Sequence, residues 1–176
     1  MVNKAIFFDR DGVLNIPFIK NNKSYAPKKF KEFKFYPYVK SYCKILKKKN
    51  FKLIVVTNQP DLGRGTINVK EYNKMCLKLK KDLKIDEIYT SKATTLKSFF
   101  RKPNPGMIIR SIKKNKFNRS KCIMIGDRWT DIIAAKKAKC KSIFIDRNYH
   151  EPIPQDQFAT VKNFKQAVEI ILKKIN

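Results

Sequence analysis

The sequence predicts an α/β protein, a Rossmann-like doubly wound parallel sheet with helices on both faces. Three observations carry this. Short apolar runs alternate with longer amphipathic stretches along the chain. The apolar runs are continuous, as in strands covered on both faces. The chain has only five glycines, Gly12, Gly63, Gly65, Gly106 and Gly126. Four of them follow predicted strand ends and one opens a helix; strand ends are where open parallel sheets bind ligands.

The elements follow in order. Residues 4–8 form the first strand and 39–49 the first helix. The second strand covers 52–56, followed by a helix over 69–83. A short strand at 87–89 comes next. Asn104-Pro105 reads as an N-cap followed by proline at the first helical position, opening a helix over 105–114. The fourth strand is 122–125, with a helix over 131–138, and the fifth is 142–145. A last helix covers 161–173, where Val161, Phe164, Val168 and Ile171 recur at helical spacing. Alternation of this kind means parallel strands joined by right-handed crossovers. Residues 15–37 and 90–103 carry no regular pattern.

The 176 residues are the size of one ordinary domain, so residues 1–176 are read as a single unit. No apolar run approaches the roughly 18 residues of a membrane span, and the early run Ala5-Ile6-Phe7-Phe8 ends at an aspartate, so no signal peptide is expected. Cys43, Cys76, Cys122 and Cys140 are widely spaced, there is no C-x-x-C, and His150 is the only histidine. They read as reduced thiols in a cytoplasmic protein.

The net charge is +27, from 41 basic and 14 acidic residues. Such a balance usually points to nucleic acid or an anionic membrane. Here the excess is 34 Lys against 7 Arg, beside 21 Ile and 14 Asn but 8 Ala. These are residues of A/T-rich codons, and the lysines are spread along the chain. Base readers favour the bidentate arginine fork, which is scarce. Composition therefore accounts for most of the charge.

The first strand runs into Asp9-Arg10-Asp11-Gly12-Val13-Leu14-Asn15. Carboxylates two residues apart on extended chain share a side and raise each other's pKa unless a cation intervenes. One ionised Asp can attack phosphorus, while its neighbour protonates a leaving group and later deprotonates water. A solvated acidic turn is the plain alternative. The fourth strand runs into Gly126-Asp127-Arg128-Trp129-Thr130-Asp131. With sheet order 3-2-1-4-5, Asp127 faces Asp9, and Asp131 lies one helical turn on. These four aspartates, of 14 acidic residues in all, form an oxygen-rich pocket suited to Mg²⁺; Asp131 also fits a capping role. Thr57-Asn58-Gln59 leaves the second strand with a hydroxyl, an amide and free N–H groups for phosphate oxygens. Lys102 adds a full charge ahead of a helix N-terminus.

In the order Asp-x-Asp, Thr, Lys, Gly-Asp-x-x-x-Asp, the chain resembles the haloacid dehalogenase (HAD) superfamily of phosphotransferases over roughly residues 4–148. The finer spelling is similar to the subclass containing heptose-1,7-bisphosphate 7-phosphatases and histidinol-phosphate phosphatases. That spelling is Phe8-Asp9-Arg10-Asp11-Gly12-Val13-Leu14-Asn15, Val55-Val56-Thr57-Asn58-Gln59, Gly63-Arg64-Gly65, Arg101-Lys102-Pro103-Asn104-Pro105-Gly106-Met107 and Ile125-Gly126-Asp127-Arg128.

The resemblance implies a HAD-like fold and a Mg²⁺-dependent phosphomonoesterase. Asp9 is its nucleophile, Asp11 its general acid and base, and Thr57 and Lys102 hold the transferring phosphoryl group. Mg²⁺ is held by the Asp9 side chain, the Asp11 backbone carbonyl and Asp127, with Asp131 in support. Arg10, Asn58, Gln59, Arg64, Arg101 and Arg128 line the substrate side. The implied substrate is a small sugar (bis)phosphate, with a heptose bisphosphate foremost. Lys20 joins Arg64, Arg101 and Arg128 as a candidate partner of a second phosphate.

The chain departs from the subclass in residues 90–100. Many members carry a zinc loop of Cys and His there, and this segment has neither. No zinc is expected, and Leu96, Phe99 and Phe100 are expected to anchor the loop by burial. The intervals from Asp11 to Thr57 and from Thr57 to Lys102 leave no room for a cap domain, so the site should be open, bordered by the loops at 16–37 and 90–100. A monomer without nucleic-acid or membrane partners is expected. A nucleic-acid 3′-end phosphatase of the same superfamily and a non-catalytic binding protein are the competing readings.

Overall fold

The computed structural model describes residues 3–174. The strands are β1 (Ala5–Phe8), β2 (Phe18–Lys20), β3 (Lys23–Tyr25), β4 (Lys52–Asn58), β5 (Glu87–Ser91), β6 (Cys122–Gly126), β7 (Lys141–Ile145) and β8 (Ala159–Val161). The helices are α1 (Val39–Lys48), α2 (Pro60–Gly63), α3 (Val69–Leu83), α4 (Gly106–Asn115), α5 (Trp129–Lys137) and α6 (Phe164–Lys174).

Six strands form one sheet in the order β5-β4-β1-β6-β7-β8, every pair parallel. The expected order of the five sequence strands therefore holds, with β8 added at one edge. β1 sits near the centre, and Ala5, Ile6, Phe7 and Phe8 are all fully buried. Their side chains alternate. Ile6 and Phe8 enter the core beneath α1, α3 and α6, with Leu53, Val55, Ile123 and Ile125. Ala5 and Phe7 enter the core beneath α4 and α5, with Ile54, Val56 and Met124. Two-sided covering is why these strands lack a polar face. Truncating Phe8 to alanine would cost about 3–5 kcal/mol.

The helices present apolar residues at three- and four-residue spacing. Val39, Cys43 and Leu46 are the buried positions of α1, and Phe164, Ala167, Val168 and Ile171 those of α6. Asn68 caps α3, its side chain accepting from the Lys70 and Glu71 N–H groups. No helix among the described residues is long and apolar enough to cross a membrane.

The sequence reading needs four corrections. Val161 belongs to β8 and pairs with Ile145, so its apolar character serves the sheet; the last helix begins at Phe164, where the Asn163 side chain accepts from Gln166 N–H. Asn104 does not cap α4. Pro105 occupies the cap position, and Asn104 Nδ2 donates instead to the carbonyls of Leu96 and Ser98. The segment 15–37 contains an antiparallel hairpin, β2 paired with β3. Its turn is Asn21-Asn22, both at positive φ (50° and 54°), the geometry of a type I′ connection. The fourth correction concerns the loop at 90–100. Leu96, Phe99 and Phe100 are 58%, 53% and 40% exposed, so burial does not anchor it. Beyond β5, the edge strand of the sheet, these residues have no second layer to cover them. Polar clamps hold the loop: Arg101 Nη1 to the Ala93 carbonyl, Asn104 to two carbonyls, and Gly106 N–H to the Phe99 carbonyl.

Candidate active site

The carboxyl ends of β1, β4 and β6 meet at one cleft. Asp9 is the first residue past β1, and its N–H still bonds the Ile125 carbonyl at 3.0 Å. The chain then reverses sharply: Leu14 N–H and Asn15 N–H both donate to the Arg10 carbonyl. Gly12 makes this turn at φ +92°, and a Cβ there would lie 1.7 Å from Asp127 Oδ2. The glycine is required twice, for backbone conformation and for the approach of Asp127.

Asp9, Asp127 and Asp131 offer carboxylate oxygens within 4.8 Å of one another, and all three residues are buried. Lys102 reaches the cluster from the segment before α4. Its Nζ lies 2.8 Å from Asp9 Oδ1 and 2.6 Å from Asp131 Oδ1, with its own side chain 2% exposed. Asn58 fixes that approach by gripping the lysine backbone from both sides, Nδ2 to the Lys102 carbonyl and Oδ1 from the Lys102 N–H. Both Asp131 oxygens have a partner at hand, Oδ1 in the ion pair with Lys102 and Oδ2 accepting from Arg128 N–H at 3.1 Å. Those of Asp127 have none, both being buried without a hydrogen-bond partner.

One lysine does not balance three buried carboxylates. Burial pushes Asp9 up to about 6, Lys102 pulling it down and Asp131 pushing it further up. Burial, with Asp9 and Asp131 beside it, holds Asp127 well above the ordinary range. Burial alone would lower Lys102, yet Asp131 and Asp9 hold its pKa above the ordinary value. Orphaned Asp127 oxygens in an all-oxygen, acid-rich nest fit a hard divalent cation such as Mg²⁺.

The Asp11 side chain is separate from this cluster. It accepts from Arg10 Nε at 3.0 Å and Nη2 at 2.8 Å, from Gln59 Nε2 at 2.8 Å and from Asn15 Nδ2 at 2.9 Å. Thr57, buried at the end of β4, accepts from the same Gln59 nitrogen at 2.9 Å.

Above these groups lies a polar cleft of about 370 Å³, reached by Asp9, Asp11, Asn58, Gln59, Lys102, Arg64 and Arg128. The hairpin contributes Lys23, Ser24 and Tyr25 to its wall, and the loop after β7 contributes Glu151. Arg64 pairs with Asp61 at 3.1 Å, and Arg128 is gripped by Glu151 through Nε and Nη2. Arg101, expected on the substrate side, is not among the residues that line the cleft: its Nη1 is taken by the Ala93 carbonyl, and burial with the charges of Arg128 and Arg64 holds its pKa below the ordinary value.

Two further expected site residues are placed otherwise. Arg10 is fully buried and points behind Asp11, away from the cleft, because the turn after Asp9 folds it inward. Lys20 is an exposed end of β2, and the hairpin places Lys23 on the wall instead. Sequence reasoning also missed Arg147, whose Nε donates to the Gly12 carbonyl at 2.9 Å, and Tyr149, whose hydroxyl would lie 2.9 Å from a Cβ on Gly12. Both come from the loop after β7, where no motif marks them.

A family model described as haloacid dehalogenase-like hydrolase matches residues 7–145. The chain is 31% identical over 180 residues to the D-glycero-alpha-D-manno-heptose-1,7-bisphosphate 7-phosphatase of Campylobacter jejuni, covering 99% of both chains. It is 29% identical to the D-glycero-beta-D-manno-heptose-1,7-bisphosphate 7-phosphatase of Helicobacter pylori, covering 96% of this chain and 98% of that one. Among solved structures, D,D-heptose 1,7-bisphosphate phosphatase from B. bronchiseptica, complexed with magnesium and phosphate, superposes with a TM-score of 0.83 at 22% identity, covering 97% and 99% of the two chains.

Proposed function

Since the chain belongs to the haloacid dehalogenase-like hydrolase family, we propose that it is a phosphomonoesterase that uses Asp9 as nucleophile and takes a heptose 1,7-bisphosphate as substrate. The observation that carries the reading is Asp9 itself: a carboxylate at the floor of the cleft, paired with a buried lysine and with Asp11 lining the same cleft.

An Asp9 oxygen attacks phosphorus, and the ester P–O bond breaks as Asp11 gives a proton to the departing sugar oxygen. This leaves an aspartyl-phosphate. Asp11, now a carboxylate, takes a proton from water, whose oxygen attacks the same phosphorus and frees Asp9 and inorganic phosphate. Lys102 and the Thr57 hydroxyl face the phosphoryl oxygens, where charge is spread in the transition state. Asp9, Asp127 and the Asp11 backbone carbonyl would hold Mg²⁺, with Asp131 behind them, and that ion supplies divalent charge against the phosphoryl oxygens.

The substrate reading rests on the rim and on the relatives. One phosphate occupies Asp9; the other needs cations at a distance, and Arg64 and Arg128 line the cleft. The relatives named above act, by their names, on heptose bisphosphates and match along nearly the whole chain.

The test is phosphate release from both anomers of heptose 1,7-bisphosphate, a sugar monophosphate and a 3′-phosphorylated oligonucleotide, with Mg²⁺. The bisphosphate should give the highest kcat/KM, and Arg64→Ala should narrow its lead over the monophosphate. Oligonucleotide binding through 6–10 phosphate contacts weakens about 10³–10⁵-fold between 50 and 200 mM salt; a pocketed bisphosphate responds far less. Efficient, steeply salt-dependent hydrolysis of the oligonucleotide with bisphosphates ignored would overturn the reading.

A further inference from the structure

Arg10 lies inside the protein yet belongs to the site. Its guanidinium is fully buried, between the Phe33 and Tyr72 rings at 5.6 and 5.3 Å from their centroids. Burial alone would lower its pKa, yet Asp11 and its other neighbours hold it above the ordinary value. A buried charge of this kind is retained only where it is paired and hydrogen-bonded. Nη1 meets the Met75 sulfur at 4.0 Å, and every oxygen that the fork meets belongs to the catalytic end of the sheet. Nε and Nη2 grip Asp11, and Nη2 also donates to Gln59 Oε1 at 3.1 Å.

The second contact fixes Gln59. With Oε1 accepting from arginine, the amide nitrogen must face the other way, where it donates to both Asp11 Oδ2 and Thr57 Oγ1. Thr57 then has its oxygen occupied as an acceptor, and its own proton is left for an anionic oxygen in the cleft.

We infer that Arg10 is a positioning residue for the reaction: it fixes the carboxylate of Asp11 toward the cleft and, through Gln59, sets the Thr57 hydroxyl as a donor. It touches no substrate. This rests on the reading that Asp11 is the general acid and base. A fork has two arms in one plane and so fixes both the position and the rotation of a carboxylate; a single ammonium fixes only a distance.

The test uses leaving groups. A sugar phosphate departs as an alkoxide and needs a proton from Asp11. A 4-nitrophenyl phosphate departs without one, but its aspartyl-phosphate still needs Asp11 as base. For Arg10→Met, kcat/KM on the sugar phosphate should fall about 10–10²-fold, whereas kcat/KM on the aryl phosphate should fall by clearly less, because it loses the Thr57 donor but needs no proton from Asp11, and its kcat falls with the slower hydrolysis of the aspartyl-phosphate. Arg10→Lys keeps a buried cation, which protects the fold, and should show the same contrast in weaker form. Equal losses of kcat/KM on both substrates, or no loss on either, would overturn the inference. Asp11→Asn, run in parallel, separates it from the reading beneath: absence of the leaving-group contrast in that variant would overturn both.

Discussion

Lys102 Nζ stands 2.8 Å from Asp9 Oδ1, the side chains 2% and 11% exposed. The pair joins the end of β1 to the approach of α4 and holds a cation against the Asp9 carboxylate. Lys102→Met leaves Asp9 and Asp131 buried without it. Breaking a buried pair on one side costs about 3–5 kcal/mol, and losing a charge aimed at the transition state costs roughly 10²–10³-fold in kcat. Urea midpoints at neutral pH without Mg²⁺ and turnover with it measure the two effects. An unchanged midpoint would mean that the pair is not formed in solution.

Asp9→Asn should abolish turnover, because an amide does not attack phosphorus. Asp11→Asn should slow it about 10²–10⁴-fold. Phosphate release by purified variants checks both, and near wild-type activity in Asp9→Asn would remove the mechanism.

Gly12→Ala tests the turn. A β-carbon there would meet Asp127 Oδ2 at 1.7 Å and the residue would be held at φ +92°, a strain of about 1–3 kcal/mol. Asp127 must move to make room. The variant should fold less stably and show a smaller rise in melting temperature on adding Mg²⁺. A wild-type response to Mg²⁺ would show that Asp127 is not needed where it stands.

The sequence made the meeting of Asp9, Asp127, Thr57 and Lys102 legible because each follows a strand end or opens a helix, and strand order then brings them together. What was not legible depended on side-chain direction inside loops. Arg10 lies between two aspartates in sequence, yet the carbonyl-sharing turn at Leu14 and Asn15 folds it inward. Val161 fitted a helical period because β8 and α6 bury the same face. The hairpin did have a signal, Asn21-Asn22 between two short runs, but the runs are exposed and carry no apolar pattern. Arg147, Tyr149 and Glu151 had none; they reach Gly12 and Arg128 only because β7 ends beside β6.

The loop at 90–100 holds no thiolate or imidazole, and soft ligands are what would retain zinc there. Elemental analysis of protein purified without a metal-binding tag should find far less than one zinc per chain. Asn104 bonds two loop carbonyls at 2.9 and 3.0 Å, each bond contributing about 0.5–1.5 kcal/mol. Asn104→Ala should therefore speed limited proteolysis within the loop, and a chelator should not. Accelerated cleavage on chelation would point to a metal in place of these clamps.

Proton linkage gives the last prediction. Asp9 has its pKa raised from 3.8 to about 6, and Asp127 is raised too. A carboxyl whose folded pKa exceeds its unfolded value keeps its proton longer when folded. Between about pH 4 and 6 the unfolded chain has already released that proton, so without metal stability falls as pH rises across this window, and Asp127 extends the fall upward. Mg²⁺ takes ionised carboxylates and must displace those protons when pH is low. Its stabilising effect should therefore be small at about pH 5 and grow toward about pH 7.5. Melting temperatures with and without Mg²⁺ at these two pH values check it, and Asp9→Asn should flatten the metal-free pH slope. A rise in melting temperature on adding Mg²⁺ that is the same at both pH values would mean that the acidic cluster is not where the ion binds.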